Sequence, residues 1–229
     1  MHNALTAAIE GRMGLRYLRF NAFTRLKRPF SDWARQRRMQ QMLRTANIRQ
    51  GMSILDLGGS PYIWSYPFIP GLDITILNLP GIVEKAPSSQ HRFRYLEGDA
   101  CNVAGVSDQS FDFVFSNSVI EHVGGPDRRA AFAREIRRIG KSYWVQTPSV
   151  WFPIEAHTGM PLWWFYPPSM RNAVIDRWRP KLPAWTEMVE GTTVLKKTEL
   201  ANLFPDAKLL VERVGGIPKS YTAFKIAHE

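Results

Sequence analysis

Residues Ile54–Trp64 read "ILDLGGSPYIW", and this stretch decides the fold. Apolar residues lead into the adjacent glycines Gly58 and Gly59, as in a short buried strand that ends in a tight turn. Glycines in such a turn allow the backbone to approach a ligand closely, and the amides of a following helical turn are free to bind it. The stretch therefore predicts a small-ligand site directly after a strand.

The same stretch indicates which kind of ligand fits. Dinucleotide-binding turns use the spacing G-x-G-x-x-G, whereas here the two glycines are adjacent and no third glycine follows at the required place. Asp56 stands just before the glycines, where its charge would repel a pyrophosphate. An acid at this point favours a ligand that carries an amino group or a sulfonium.

Strand-like stretches alternate with helical or loop segments from Ser53 onward. The five stretches are "SILDL", "DITILNL", "RFRYLEGD", "FDFVFSNS" and "SYWVQTP", with a helix over Pro126–Ile139 between the last two. Near the end, "KLLVERVGG" and "SYTAFKI" are typical of an antiparallel strand pair. This order predicts an α/β fold: a Rossmann-like, seven-stranded, mostly parallel sheet with helices on both faces and a terminal antiparallel pair.

Four motifs in this order resemble class I S-adenosylmethionine-dependent methyltransferases. "DLGGS" at residues 56–60 is similar to the family's first motif, D-x-G-x-G, with Ser60 at the last glycine. Asn78 ends the second strand, where the family usually has an acid, and "LEGDA" and "FDFVFSNSVIEHV" match the next two landmarks. The resemblance covers about residues 54–148, and "SVIEHV" resembles the methyltransferase type 11, or ubiquinone-biosynthesis-like, branch.

The resemblance implies a methyltransferase that uses S-adenosyl-L-methionine and releases S-adenosyl-L-homocysteine. The acceptor would be an oxygen or nitrogen atom of a small-molecule, lipid-linked or glycan compound. The residues implied in cofactor binding are Asp56, Gly58, Gly59 and Ser60 for the methionine part, Asn78 and Leu79 for the ribose, Asp99 and Ala100 for the adenine, and Asn117 between cofactor and substrate.

The acceptor pocket of this fold opens after the fifth strand, in "VWFPIEAHTGMP". An imidazole oriented by a carboxylate can take the proton that the acceptor loses, so Glu155 and His157 are the candidate base pair and His122 is the reserve. A few relatives bind a divalent metal through E-x-x-E-H and a further histidine. Ser118 replaces the first acid here, so no metal ligand is assigned; instead Glu121 is expected to begin a helix and His122 to be hydrogen-bonded.

The positive charge is concentrated in an N-terminal arm. Eleven of the 30 basic residues and two of the 20 acidic residues lie in residues 1–50. Apolar residues from Leu5 to Phe20 recur at helical spacing, and a second helix is predicted over Trp33–Ala46. We expect residues 1–46 to form a basic helical arm that contacts an anionic membrane surface. A solvated tail and a nucleic-acid contact are the alternatives.

The remaining chain, residues 47–229, is expected to form the methyltransferase domain. Residues 148–190 do not follow its strand–helix rhythm, because they are rich in tryptophan and proline. This segment is interpreted as an aromatic cap inserted after the fifth strand. Its aromatic side chains either form a plain core or provide an apolar or sugar-stacking wall.

Composition favours a cytoplasmic protein. Cys101 is the single cysteine, and no apolar run approaches the ~18–20 residues that span a bilayer. A peripheral position at the inner face of a membrane would suit the basic arm. Two other functions stay open: an RNA methyltransferase or RNA-binding protein that uses the arm, and a non-catalytic scaffold with the cofactor fold. The sequence leaves the oligomeric state open.

Overall fold

The computed structural model describes residues 33, 35–82 and 89–227. The chain divides into two compact units, residues 1–47 and residues 48–229. In the first unit, residues 35–45 form helix α1, which confirms the helix predicted there. The amphipathic pattern from Leu5 to Phe20 lies outside the described residues.

The second unit is built on a sheet that has seven strands in the described residues, in the order β3-β2-β1-β4-β5-β7-β6. Strands β1 to β5 are parallel, and β7 runs antiparallel to both β5 and β6. The strands are β1 (Ser53–Leu57), β2 (Asp73–Asn78), β3 (Arg92–Glu97), β4 (Phe111–Asn117), β5 (Gly140–Pro148), β6 (Lys208–Val214) and β7 (Ile217–Lys225). The mostly parallel sheet with a terminal antiparallel pair is confirmed.

The helices of this unit follow β4 and β5. They are α2 (Pro126–Ile139), α3 (Pro168–Trp178), α4 (Pro183–Gly191) and α5 (Lys197–Leu203). Helix α2 has the bounds that the sequence predicts, and it buries Phe132 and Ile136 in a core shared with Leu55, Val114 and Val145. No helix among the described residues has the length and the apolar character needed to cross a bilayer.

The connection from β1 to β2 contains no long helix. It contains only a single 3-10 turn, Pro61–Trp64, and further prolines at 67 and 70. A proline inside a helix removes a hydrogen-bond donor and clashes with the preceding turn, so this stretch cannot extend into a longer helix. The turn instead brings the ring of Trp64 under the loop that follows β1.

The order of the strands determines where a ligand can bind. Strand β1 lies between β2 and β4, because the chain first builds β2 and β3 on one side of β1 and then crosses to build β4 and β5 on the other side. The carboxyl ends of parallel strands share one edge of the sheet, and the crevice at such a switch point is where ligands bind in open α/β sheets. The loops after β1, β2, β3, β4 and β5 therefore meet around one region.

Candidate functional site

The loop after β1 needs glycine at residue 58. Gly58 has a positive φ of 69°, and a Cβ atom there would lie 2.8 Å from both γ-carbons of Val119. Its amide donates to the Leu77 carbonyl oxygen at 2.8 Å, which ties the loop to the end of β2. The loop after β1 is therefore packed directly against the loop after β4.

Asp56 lies behind this loop. Its side chain is fully buried, and Trp64 Nε1 donates to its Oδ2 atom at 2.8 Å, while Oδ1 has no hydrogen-bond partner in the described residues. Burial raises the pKa of Asp56 to about 7, and the hydrogen bond from Trp64 only partly opposes that rise. The carboxylate thus packs against Gly59 and Trp64. The sequence resemblance implies instead that it contacts the methionine part of the cofactor.

Asn78 and Leu79 stand at the end of β2. The Asn78 amide donates to the Gly59 carbonyl oxygen at 3.0 Å, and its Oδ1 atom makes no bond to the described residues. Leu79 is 57% exposed, so its apolar surface is open to a ligand. The Asn78 side chain therefore holds the loop through its NH2 group, while its Oδ1 atom can still accept a hydrogen bond.

Asp99 follows β3 and is held by an arginine that sequence reasoning missed. Arg128, in the first turn of α2, binds the two carboxylate oxygens of Asp99 at 2.7 and 2.9 Å. This bidentate hydrogen bond lowers the pKa of Asp99. The backbone amide of Ala100 and the side-chain amide of Asn117 make no hydrogen bond to the described residues. Nothing in the spacing of the sequence indicates Arg128.

The loop after β5 holds Glu155 and His157 together, as predicted. His157 Nδ1 donates to Glu155 Oε1 at 2.8 Å, and the backbone amides of His157 and Thr158 donate to Oε2. The loop is closed by the Ile154–Pro161 bridge. Burial lowers the pKa of His157, but the hydrogen bond and charge of Glu155 outweigh it and the net shift is upward. Glu155 thus fixes the imidazole in one orientation.

His122 comes from the loop after β4 and faces His157. Its Nδ1 lies 3.1 Å from Thr192 Oγ1, which already donates its single hydrogen to the Met188 carbonyl oxygen. His122 Nδ1 must therefore donate, which leaves its Nε2 atom as an acceptor, 3.0 Å from His157 Nε2. Burial lowers the pKa of His122 to about 4, so it is neutral near pH 7.

Glu121 completes this group, and it does not begin a helix as expected. It lies in a turn, and α2 starts only at Pro126, because Gly124 has a φ of 111° that a helix cannot continue through. Thr147 donates to Glu121 Oε2 at 2.9 Å, while the buried Oε1 has no partner in the described residues and lies 3.9 Å from His157 Nε2. Burial raises the pKa of Glu121 to about 7.

These residues form a histidine–carboxylate cluster, defined as Glu121, His122, Glu155 and His157. In it, one ligand atom each from Glu121, His122 and His157 lies within 4.8 Å of the others, a spacing that could hold a divalent ion. In neutral histidines the two facing Nε2 atoms both carry lone pairs. The gap between them therefore accommodates one proton or one cation.

The residues around the β1 loop fit S-adenosylmethionine. In the described residues, the backbone amides of Gly59 and Ala100 and the side-chain Oδ1 atom of Asn78 make no hydrogen bond, so donors and an acceptor line the same edge of the sheet. The two glycines keep side chains out of the loop. Both Asp99 oxygens are engaged by Arg128, so an adenine amino group would share that carboxylate with the guanidinium.

Residues 69–142 match a family model described as a methyltransferase domain. Two curated relatives are uncharacterized proteins from two strains of Mycobacterium tuberculosis, each 28% identical over 130 residues, or 51% of this chain and 42% of the relative. The aligned part of the chain thus spans less than half the length of those relatives.

Solved structures share the fold. The PH0226 protein from Pyrococcus horikoshii OT3 matches with a TM-score of 0.51 and 15% identity over 83% of this chain and 88% of that protein. A SAM-dependent methyltransferase from Methanosarcina mazei matches with a TM-score of 0.45 and 17% identity over 82% and 98% of the two chains. The family-model match and the topology of the sheet support a class I S-adenosylmethionine-dependent methyltransferase.

Proposed function

We propose that this protein transfers the methyl group of S-adenosylmethionine to an oxygen or nitrogen atom of a small-molecule, lipid-linked or glycan acceptor. The supporting observation is the contact between the two halves of the site. Val119 packs against Gly58 in the cofactor loop, and its carbonyl oxygen accepts the amide of His122 at 2.8 Å. The histidine–carboxylate cluster therefore begins one turn away from the proposed cofactor.

In this proposal His157 is the proton acceptor and Glu155 positions it. A lone pair of the acceptor atom forms the new bond to the methyl carbon while the carbon–sulfur bond breaks. The electron pair of that bond stays on sulfur and gives S-adenosylhomocysteine. The acceptor proton passes to Nε2 of neutral His157, and Nδ1–H keeps its bond to Glu155. Alignment of the reacting atoms supplies much of the remaining acceleration.

Calorimetry of the full chain with S-adenosylmethionine and S-adenosylhomocysteine tests the cofactor half. We expect one binding site, lost in Gly58→Ala, because that residue has a positive φ and a new Cβ would clash with Val119. Gly191→Ala is the matched control, since its Cβ would meet no atom within 4 Å. Absence of binding by calorimetry and by a second method would support the non-catalytic scaffold instead.

Formation of S-adenosylhomocysteine tests the acceptor half. Fractions of lipid extract and of water-soluble extract are supplied in turn, and we expect turnover with one of them that His157→Ala strongly reduces. Equal turnover in wild type and His157→Ala would contradict the base assignment.

For the basic arm we propose contact with an anionic membrane surface, with RNA as the alternative partner. The support is its charge, since eleven basic and two acidic residues lie in residues 1–50. Electrostatic contact with RNA weakens steeply with added salt. Binding of the full chain to RNA that outcompetes anionic vesicles would favour the RNA methyltransferase.

A further inference from the structure

Large apolar side chains border the loop that carries His157. Trp151 is 59% exposed and Phe165 50%, and their rings contact each other with centroids 5.5 Å apart. Ile154 and Leu162 are also exposed. Single exposed apolar residues are common on protein surfaces, but a group of them marks a binding surface. We refer to Trp151, Ile154, Leu162 and Phe165 as the apolar rim.

The apolar rim belongs to one closed piece of backbone. Ile154 pairs with Pro161, and the Leu162 amide donates to the Pro153 carbonyl oxygen at 2.8 Å, so Ile154 and Leu162 flank the neck of the His157 loop. Phe165 follows one 3-10 turn later. Whatever covers this rim therefore lies directly beside the histidine–carboxylate cluster.

The adjoining helix α3 adds positive charge. It has no fully buried residue, and Met170 is 50% exposed. Arg171 stacks over the Trp164 ring at 5.9 Å, and Arg177 is exposed in the last turn. Residues 148–182 contain four basic and two acidic residues, and one of the acids is the buried Glu155. Arg179 is paired with Glu190 of α4, so the exposed Arg177 and Lys181 supply the positive charge next to the rim.

We propose that the apolar rim and α3 dock on an anionic lipid bilayer. Aromatic side chains favour the membrane–water interface, and each basic residue near the surface is attracted to anionic headgroups. The combination favours a bilayer over a second copy of the chain or a soluble protein, which would not require the basic residues. The inference also identifies the acceptor class as a membrane-resident, lipid-linked compound. The assignment of the acceptor class rests on the proposed function, whereas the docking does not.

Vesicle sedimentation of the full chain tests the docking without cofactor or acceptor. The vesicles are phosphatidylcholine alone or mixed with phosphatidylglycerol, and we expect binding to the anionic mixture. The double substitution Trp151→Ser with Phe165→Ser should weaken that binding by about tenfold or more, because both aromatic surfaces leave the bilayer. Leu96→Ser is the matched control, since Leu96 is an exposed apolar residue on the edge strand β3, which three strands separate from β5 in the sheet.

Equal binding of wild type and the double variant would overturn the proposal, because the basic arm, present in both, would then suffice. Failure of wild type to bind the anionic vesicles would also overturn it. A change of oligomeric state in the double variant without lipid, with vesicle binding unchanged, would assign the rim to a second copy.

Quenching of tryptophan fluorescence by dibrominated lipid provides a second measurement that does not depend on the double variant folding. Wild type should be quenched, and Trp151→Phe should bind equally but lose part of the quenching. Unchanged quenching in Trp151→Phe would place this residue outside the bilayer and overturn the proposal. Loss of cofactor binding or of methyl transfer would contradict the proposed function alone and leave this result intact.

Discussion

The Asp56 carboxylate lies where a side chain at Gly59 would begin: a Cβ atom on Gly59 would be 1.9 Å from Asp56 Oδ2. The same oxygen accepts the hydrogen bond from Trp64 Nε1. The second glycine of the motif is therefore required by a neighbouring side chain, in addition to any requirement of the ligand. The acid and the glycine form one packing unit in the loop after β1.

This relationship predicts coupling between substitutions at the two positions. Gly59→Ala should destabilise the fold by about 1–3 kcal/mol, because the new methyl group displaces a buried carboxylate. In an Asp56→Ala background the same change should cost much less, since the space has been vacated. A double-mutant cycle from urea unfolding measures the difference. Additive free energies of unfolding would show that the two side-chain positions do not compete.

Asp56 also predicts a pH dependence of stability. Its pKa is raised from 3.8 to about 7 by burial, so the folded state binds a proton that the unfolded state releases above pH 4. The resulting stabilisation is complete below the unfolded pKa and is lost as the pH rises through the folded value. The full rise corresponds to roughly 4 kcal/mol.

Asp56→Asn should remove this dependence, because the amide does not titrate. The measurement is the free energy of unfolding of both proteins between about pH 4.5 and 8. The difference between wild type and Asp56→Asn should grow as the pH rises to 7 and then become constant. Parallel curves over the whole range would contradict a raised pKa for this group.

Much of the fold could be predicted because its strands are short apolar runs with clear ends. The strands and helix α2 lie where the sequence indicates. The lack of a long helix after β1 agrees with the sequence, since prolines at 61, 67 and 70 exclude one. The turn at Glu121 is explained by Gly124 and Gly125, whose effect the sequence interpretation underestimated.

The site was less accessible to sequence reasoning. His122 and His157 are 35 residues apart and meet because β4 and β5 are neighbours, so their contact depends on the sheet order. The orientation of each imidazole depends on a partner, Thr192 or Glu155, and only Glu155 is close in sequence. The same holds for the fully buried Asp56. The sequence shows that it stands before the glycines, but it does not show the direction in which the carboxylate points.

The Glu155–His157 pair predicts the pH dependence of turnover. Neutral His157 is the form that accepts a proton, and its pKa is raised, because Glu155 and Glu121 outweigh the effect of burial. Turnover should therefore increase as the pH rises through a value above 6.5. Glu155→Gln removes the charge and leaves one oxygen where Glu155 uses two to accept hydrogen bonds, so the increase should move to lower pH.

The measurement is the rate of S-adenosylhomocysteine formation with one acceptor, from about pH 5 to 9. Glu187→Gln is the control, because this exposed carboxylate on α4 should leave the profile unchanged. An identical profile in Glu155→Gln and wild type would mean that another group takes the proton.

The facing Nε2 atoms of His122 and His157 predict inhibition by zinc. Metal–nitrogen bonds of about 2.0–2.1 Å in tetrahedral geometry set two nitrogens about 3.3 Å apart, close to the 3.0 Å observed. The unpartnered Glu121 Oε1 would supply a third ligand. A bound Zn²⁺ would occupy the lone pair that His157 needs as a base, so turnover should fall with added zinc and recover with a chelator.

His122→Ala removes one ligand and should raise the zinc concentration for half-inhibition by about tenfold or more. For each protein, inhibition is measured against its own rate without zinc. His228→Ala, which changes a histidine outside the described residues, is the control for metal bound elsewhere on the chain. The opposite result would be decisive: if a chelator abolished the turnover of untreated protein and a divalent ion restored it, the cluster would be a metal centre. His157 would then bind the ion through Nε2, and the proton of the acceptor would have to leave by another route.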